Sequence, residues 1–126
     1  MSRTIIATLK APQTPPAYSQ AVKAAGLVFV SGTAPIDPDT GLIVEGSIRD
    51  QVAQCLRNIS AILEAAGSSL QKAVSATLIV ADEDDFPAAS EEWTKWFPID
   101  PPARQGAKLP VRIPGLRVSI AMIAEA

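Results

Sequence analysis

The chain has 126 residues, 48% of them apolar and 19% charged, with a formal net charge of −2 and no histidine. That balance fits one globular domain large enough for its own core and excludes a disordered chain. The lack of histidine excludes serine–histidine and cysteine–histidine nucleophilic catalysis within the chain. Basic residues never adjoin one another, which argues against general nucleic-acid binding, since tracking a phosphate backbone needs a concentrated basic stripe.

The single cysteine, Cys55, precludes an internal disulfide and suits a reducing compartment. A zinc site would have to be assembled mostly from carboxylates, so no metal is expected. The opening "MSRTIIATLKAP" has only a brief apolar run before Lys10 and Pro12. Neither a secretion signal nor a membrane span is expected there, and a cytoplasmic location is the default.

In chain order, residues 3–9 ("RTIIATL") read as a first strand rich in β-branched side chains. "KAPQTPPAYSQAV" follows, and its prolines forbid a helix and predict a wrapped loop. Residues 26–32 ("GLVFVSG") form a compact apolar strand between glycines, and "PIDPDTGLI" has turn chemistry. In "SIRDQVAQCLRNISAILEAAG" the residues Ile48, Val52, Cys55, Leu56, Ile59, Ile62, Leu63 and Ala66 recur at helical spacing. Ser47 with Asp50 makes a capping-box pattern, and Gly67 suits the helix end. Cys55 lies on that apolar stripe and reads as a small core hydrophobe.

Residues 73–81 predict a strand. "DEDDFPAASEEWTKWF" predicts a second helix, with Asp84 or Asp85 as N-cap and Phe86, Ala89, Trp93 and Phe97 facing inward. The acids of residues 82–85 serve capping and solvation, because no second acid cluster completes an oxygen cage. Short strands follow at residues 103–109 and 116–124. The order is β-β-(β)-α-β-α-β-β, an α+β domain with about six strands and both helices on one face of a mixed sheet.

The other face of that sheet is small and mixed rather than charged. Ser75, Thr77 and Ile79 alternate with the apolar set of one strand, and Arg117, Ser119, Ala121 and Ile123 with that of the last. A wet face alternates with polar residues, so this one predicts contact with another subunit.

The motifs "PPAYSQAV", "LVFVSGTAPIDPDTG", "NISAILEAAGSSL", "DFPAASEEWTKWF", "PPARQGAKLP" and "IAMIA" together resemble the RidA/YjgF/UK114 family over nearly the whole chain. The resemblance implies a chorismate-mutase-like α+β fold, assembled as a homotrimer with clefts between adjacent subunits. It also implies hydrolysis of reactive 2-imino or enamine acids to 2-keto acids and ammonia, with no cofactor. Older family labels, endoribonuclease and translation inhibitor, rank last for a chain with no histidine and no basic stripe.

Arg104 matches the arginine whose guanidinium grips the substrate carboxylate, a task suited to its planar, permanently charged fork. Tyr18 matches a loop tyrosine that walls the cleft, and Ser31 a serine near the substrate. Elsewhere the chain departs from the pattern. Pro16-Ala17 replaces the usual Gly-Pro, and Thr33 a glutamine. Ser90 replaces an asparagine, Trp93 a tyrosine and Gly106 a frequent cysteine. In the last strand Ser119 stands where the family has a glutamate that orients or activates the attacking water, and Ala121 where it has a second acid. Ser119 is a poor base near neutral pH, and the missing acids leave the cleft more positive. Gly106 and Ser90 remove side-chain volume and predict a wider pocket, which Trp93 either fills or leaves to pack the helix. The expected consequence is a substrate preference shifted from the typical member, or slower turnover. The alternative is a trimer that binds a small carboxylate and hydrolyses nothing.

Overall fold

A computed structural model describes residues 2–126. Eight main elements follow one another: β1 (Thr4–Ile6), β2 (Ala21–Ala24), β3 (Leu27–Thr33), α1 (Ile48–Ala65), β4 (Ala73–Val80), α2 (Phe86–Trp96), β5 (Ala103–Lys108) and β6 (Val118–Glu125). The strands form one sheet in the order β1-β2-β3-β6-β4-β5. Only β4 and β5 run parallel, because α2 carries the chain back between them; every other neighbouring pair is antiparallel.

The third strand before α1 lies earlier than the reading allowed. Ala21–Ala24, assigned in part to the loop, pairs with Leu27–Thr33 through a two-residue turn at Ala25 and Gly26, both at positive φ (54° and 75°). Two such residues give a hairpin turn whose twist matches the strands it joins. Between β3 and α1 only the single bridge Ile36–Ile43 forms. The first strand stops at Ile6 rather than reaching Leu9, since the Thr8 N–H turns aside to the Gln20 side chain at 2.7 Å.

α1 begins at the expected capping box, with the Asp50 N–H donating to Ser47 Oγ and the Ser47 N–H to the Asp50 carboxylate. It ends with Gly67 at φ 82° and the Ser68 N–H donating to the Leu63 carbonyl at 2.8 Å, a glycine-terminated exit that satisfies the last carbonyls. Every residue of the expected stripe from Ile48 to Ala66 is buried. Cys55 is fully enclosed, and burial pushes its thiol pKa well up.

The start of α2 differs from the expected cap. A short 3-10 turn, Glu83–Asp85, precedes it, capped by the Asp82 carboxylate on the Asp84 N–H at 2.9 Å. Asp85 occupies the N-cap position but makes no side-chain cap. Its carboxylate takes the Arg117 fork instead, at 2.7 and 3.1 Å. A bidentate charge-assisted pair outcompetes a local N–H bond here. The pair raises the Arg117 pKa above its ordinary value.

Both helices cover one face, where Val28, Val30, Ala76, Leu78, Val80, Val118, Ile120 and Met122 lie buried beneath them. The other face is bare in one chain. Phe29 is 41% exposed there and pairs across the ladder with Ile123. Among the described residues no helix is long and apolar enough to cross a membrane.

Candidate active site

The site residues fall into two groups, one at the β5 edge of the sheet and the other beside the inner strand β3. Arg104 stands on β5, the edge strand. Its neighbour in the ladder is Ala76, a core residue, so the Arg104 side chain rises on the helix side. The β4-α2-β5 crossover lays α2 against that strand. Phe86, Ser90 and Trp93 share one helical stripe facing it, at i, i+4 and i+7.

Arg104 Nη2 donates to Ser90 Oγ at 3.1 Å, and Cζ lies 5.4 Å from the Phe86 ring centre and 5.6 Å from the Trp93 ring. Each aromatic contact contributes roughly 0.5–2 kcal/mol depending on desolvation. Among the described residues the ion pairs join Arg49 to Glu91, Lys95 to Glu92 and Arg117 to Asp85. Among the described residues no carboxylate lies within 4.0 Å of Arg104. The guanidinium is held without being neutralised.

Trp93 is buried and packs on Phe97, ring centres 4.5 Å apart. It therefore packs the helix and supports Arg104. The wider pocket expected at Gly106 is corrected. A Cβ on Gly106 would stand 3.0 Å from Phe86 Cε1 and 3.3 Å from Cζ, so the ring already fills that space. Ser90 likewise spends its hydroxyl on Arg104 rather than opening room. Phe86 was read only as a core residue; its tie to Gly106 has no local sequence signature.

The second group lies beside β3. Tyr18 and Ser31 line a cleft of about 70 Å³ with Gln13, Gln20, Gly32 and Thr33. Tyr18 is half exposed. The Ser31 hydroxyl donates to the Ser19 carbonyl at 2.6 Å, and the Ser31 N–H to the Gln20 carbonyl at 3.0 Å. Gln20, which sequence reasoning passed over, is buried and ties the proline-rich loop together. Its amide accepts from the Thr8 N–H at 2.7 Å and donates to the Thr8 and Pro12 carbonyls at 3.1 and 2.8 Å. A proline-rich loop has few backbone donors, so a buried amide inside it is the signal that could have found this residue.

Ser119 belongs to neither side of Arg104. It alternates with buried Val118 and Ile120 on β6 and so faces away from the helices, where its Oγ would sit 3.3 Å from a Cβ on Gly32. Arg104 is on the opposite face. At roughly 4.8 Å per strand, β3 and β5 are about 14 Å apart across β6 and β4. One chain therefore does not close both groups around a small molecule. Outside both groups, the hydrogen bond from Arg49 lowers the Glu91 pKa below its ordinary value.

Comparison with known proteins is consistent over the full length. The family model described as Endoribonuclease L-PSP matches residues 8–126. A RutC family protein of Pyrococcus abyssi is 43% identical over 104 residues, 82% of each chain. The 2-iminobutanoate/2-iminopropanoate deaminase of Rattus norvegicus is 36% identical over 122 residues, 97% of this chain and 89% of the relative. The structure of E. coli TdcF with bound serine superposes with a TM-score of 0.89 at 30% identity, covering 98% of both chains. With its mixed six-stranded sheet, two helices on one face and motif order, the chain belongs to the endoribonuclease L-PSP family, that of the RidA and YjgF proteins.

Proposed function

We propose that the protein is a cofactor-independent deaminase that hydrolyses 2-imino or enamine acids to 2-keto acids and ammonia. The observation that carries this reading is Arg104, a fixed guanidinium with no carboxylate of its own. Two charge-assisted hydrogen bonds from such a fork to a substrate carboxylate contribute roughly 1.5–3 kcal/mol each. The imine carbon is then presented to water. Water adds to the C=N carbon, the nitrogen takes up a proton, and the C–N bond breaks to release ammonia and the keto acid. The rat relative is named for hydrolysing imino acids, and the E. coli relative is described with serine, an α-carboxylate ligand.

The reaction belongs in clefts between copies of a homotrimer. Support comes from the separation of the Arg104 group from Tyr18 and Ser31, and from the bare sheet face bearing Phe29 and Ile123. Association then sets Arg104 of one copy near Tyr18, Ser31 and Ser119 of another. Ser119 holds the attacking water there without deprotonating it. With neither Ser119 nor Ala121 acidic, the cleft favours an anionic substrate, including one with a second carboxylate.

The test is a coupled assay in which an amino-acid oxidase generates imines from a panel of amino acids and semicarbazide reports their lifetime. Wild type should shorten that lifetime and Arg104→Ala should match the blank. A second reading, a carboxylate-binding trimer without turnover, is favoured by the serine at position 119. Tight 2-keto acid binding by wild type, with imine lifetimes equal to the blank across the panel including acidic side chains, would establish it. RNA cleavage persisting in Arg104→Ala after stringent purification would instead support a ribonuclease.

A further inference from the structure

We infer that Phe86, Ser90 and Trp93 are positioning residues for Arg104, and that residue 106 is glycine because this seat requires it. The inference rests on the carboxylate-gripping role of Arg104 proposed above. An arginine on an exposed edge strand samples many rotamers, and a grip that must form two parallel hydrogen bonds works best from one of them. An acidic neighbour would fix the side chain but would also neutralise it and compete with the substrate. Two ring faces and one hydroxyl fix it and leave the charge intact. The Ser90 contact uses one N–H of a group that has five, so an outward pair stays free.

Gly106 follows from the same geometry. A Cβ there meets the Phe86 ring at 3.0 Å, tighter than nine in ten such contacts, so the ring must shift by a few tenths of an ångström. Positions 86 and 106 are therefore an exchange pair: a side chain at 106 displaces the ring from beneath the guanidinium. The ring cannot retreat freely, because Phe86 packs against the core under the first turn of α2.

The experiment compares Phe86→Leu, Phe86→Tyr, Gly106→Ala and the Gly106→Ala/Phe86→Leu double variant in the imine assay. Ligand-free NMR of the arginine Nε–H groups and thermal melts accompany it. Phe86→Leu and Gly106→Ala should each raise KM about tenfold, with kcat changed by less than about twofold. Phe86→Tyr, which keeps a ring face, should retain the wild-type KM. The double variant should recover the melting temperature lost by Gly106→Ala while KM stays high, since relieving the clash does not restore the ring. In wild type the Arg104 Nε–H should be shifted upfield by the rings, and in Phe86→Leu that shift should shrink to what the Trp93 ring alone supplies.

If Phe86→Leu binds and turns over like wild type while Arg104→Ala is dead, the seat is overturned and the deaminase reading stands. If wild type neither hydrolyses imines nor binds keto acids, the deaminase reading falls. The NMR arm then decides the seat alone: an unshifted Arg104 signal in wild type, or one unchanged in Phe86→Leu, overturns it, and a shift reduced in Phe86→Leu upholds it.

Discussion

Two arginines of this chain show how differently the same side chain can be used. Arg117 delivers its fork to the Asp85 carboxylate at 2.7 and 3.1 Å and adds a bond to the Gly46 carbonyl. It pins the start of β6 to the start of α2 and to the loop before α1, and its charge is spent. Arg104, thirteen residues upstream at the sheet edge, meets two rings and a hydroxyl. The same contrast separates the two halves of the sheet. Around β3, Ser31 and Gln20 use their polar atoms to satisfy a loop's backbone; around β5, a full charge is kept unpaired. Burying polar groups demands partners, whereas binding an anion demands a donor left without one.

The largest break in that comparison comes from the bare face of the sheet. Ile123→Asp puts a charge beside Phe29, in a shallow hollow of about 160 Å³ shared with Ser75, Thr77 and Gln105. Light scattering should show dissociation to monomers, and deaminase activity should be lost with assembly, because the Arg104 and Ser31 groups are then left apart. A fully active monomer would mean that one chain suffices and that the cleft does not lie between copies.

Next in size is Gln20→Leu, which removes the partners of the Thr8 N–H and of the Thr8 and Pro12 carbonyls. At about 1–3 kcal/mol for each group left buried and unsatisfied, with solvent reaching some of them, the loss should be about 3 kcal/mol in urea unfolding. Arg104→Ala, which gives up two ring contacts and one hydroxyl bond on a half-exposed side chain, should lose less in the same measurement, about 1–2 kcal/mol. Equal losses at the two positions would erase the distinction between a structural end and a binding end. Ser31→Ala, which gives up one hydroxyl bond to the Ser19 carbonyl, should cost about 1 kcal/mol.

How far the sequence reaches is visible in the same residues. α1, with its Ser47–Asp50 box, glycine exit and unbroken apolar stripe, was legible because every signal is local. So was the two-faced character of β6 and of β4 from Ser75 on, where buried and half-buried residues alternate as the sequence does. Val74, expected on the apolar face, is instead exposed beside the register shift at the start of β4. β2 was hidden because alanine and lysine carry weak strand preference, and its pairing depends on a turn across two small residues. Asp85 stands at the expected N-cap position, but that its carboxylate goes to Arg117 and makes no cap bond was hidden, because that partner lies far along the chain. In the site, the Pro-Pro-Ala-Arg wording marked Arg104. The alternation of β6 already puts Ser119 on the bare face. Neither the ring that fills the space at Gly106 nor the placing of Arg104 on the helix face follows from spacing, since both depend on how separate elements pack.

The smallest expected effect lies in the β2–β3 hairpin, at the structural end of the sheet. Ala25 holds φ 54° with a Cβ in place, a conformation that costs a non-glycine residue about 1–2 kcal/mol. Glycine removes that cost but brings a freer unfolded chain, worth roughly 0.5–1 kcal/mol in the other direction. The difference is a gain of about 0.5 kcal/mol for Ala25→Gly. Urea unfolding at matched protein concentration should show a higher midpoint and the same slope, as association contributes equally to both proteins. KM should not move, because the turn touches neither group of site residues. A lower midpoint would show that the alanine is less strained than its φ implies and that chain entropy dominates at this turn. A changed KM would show that the hairpin communicates with the Ser31 loop through β3, so that the structural end of the sheet also sets the geometry of binding.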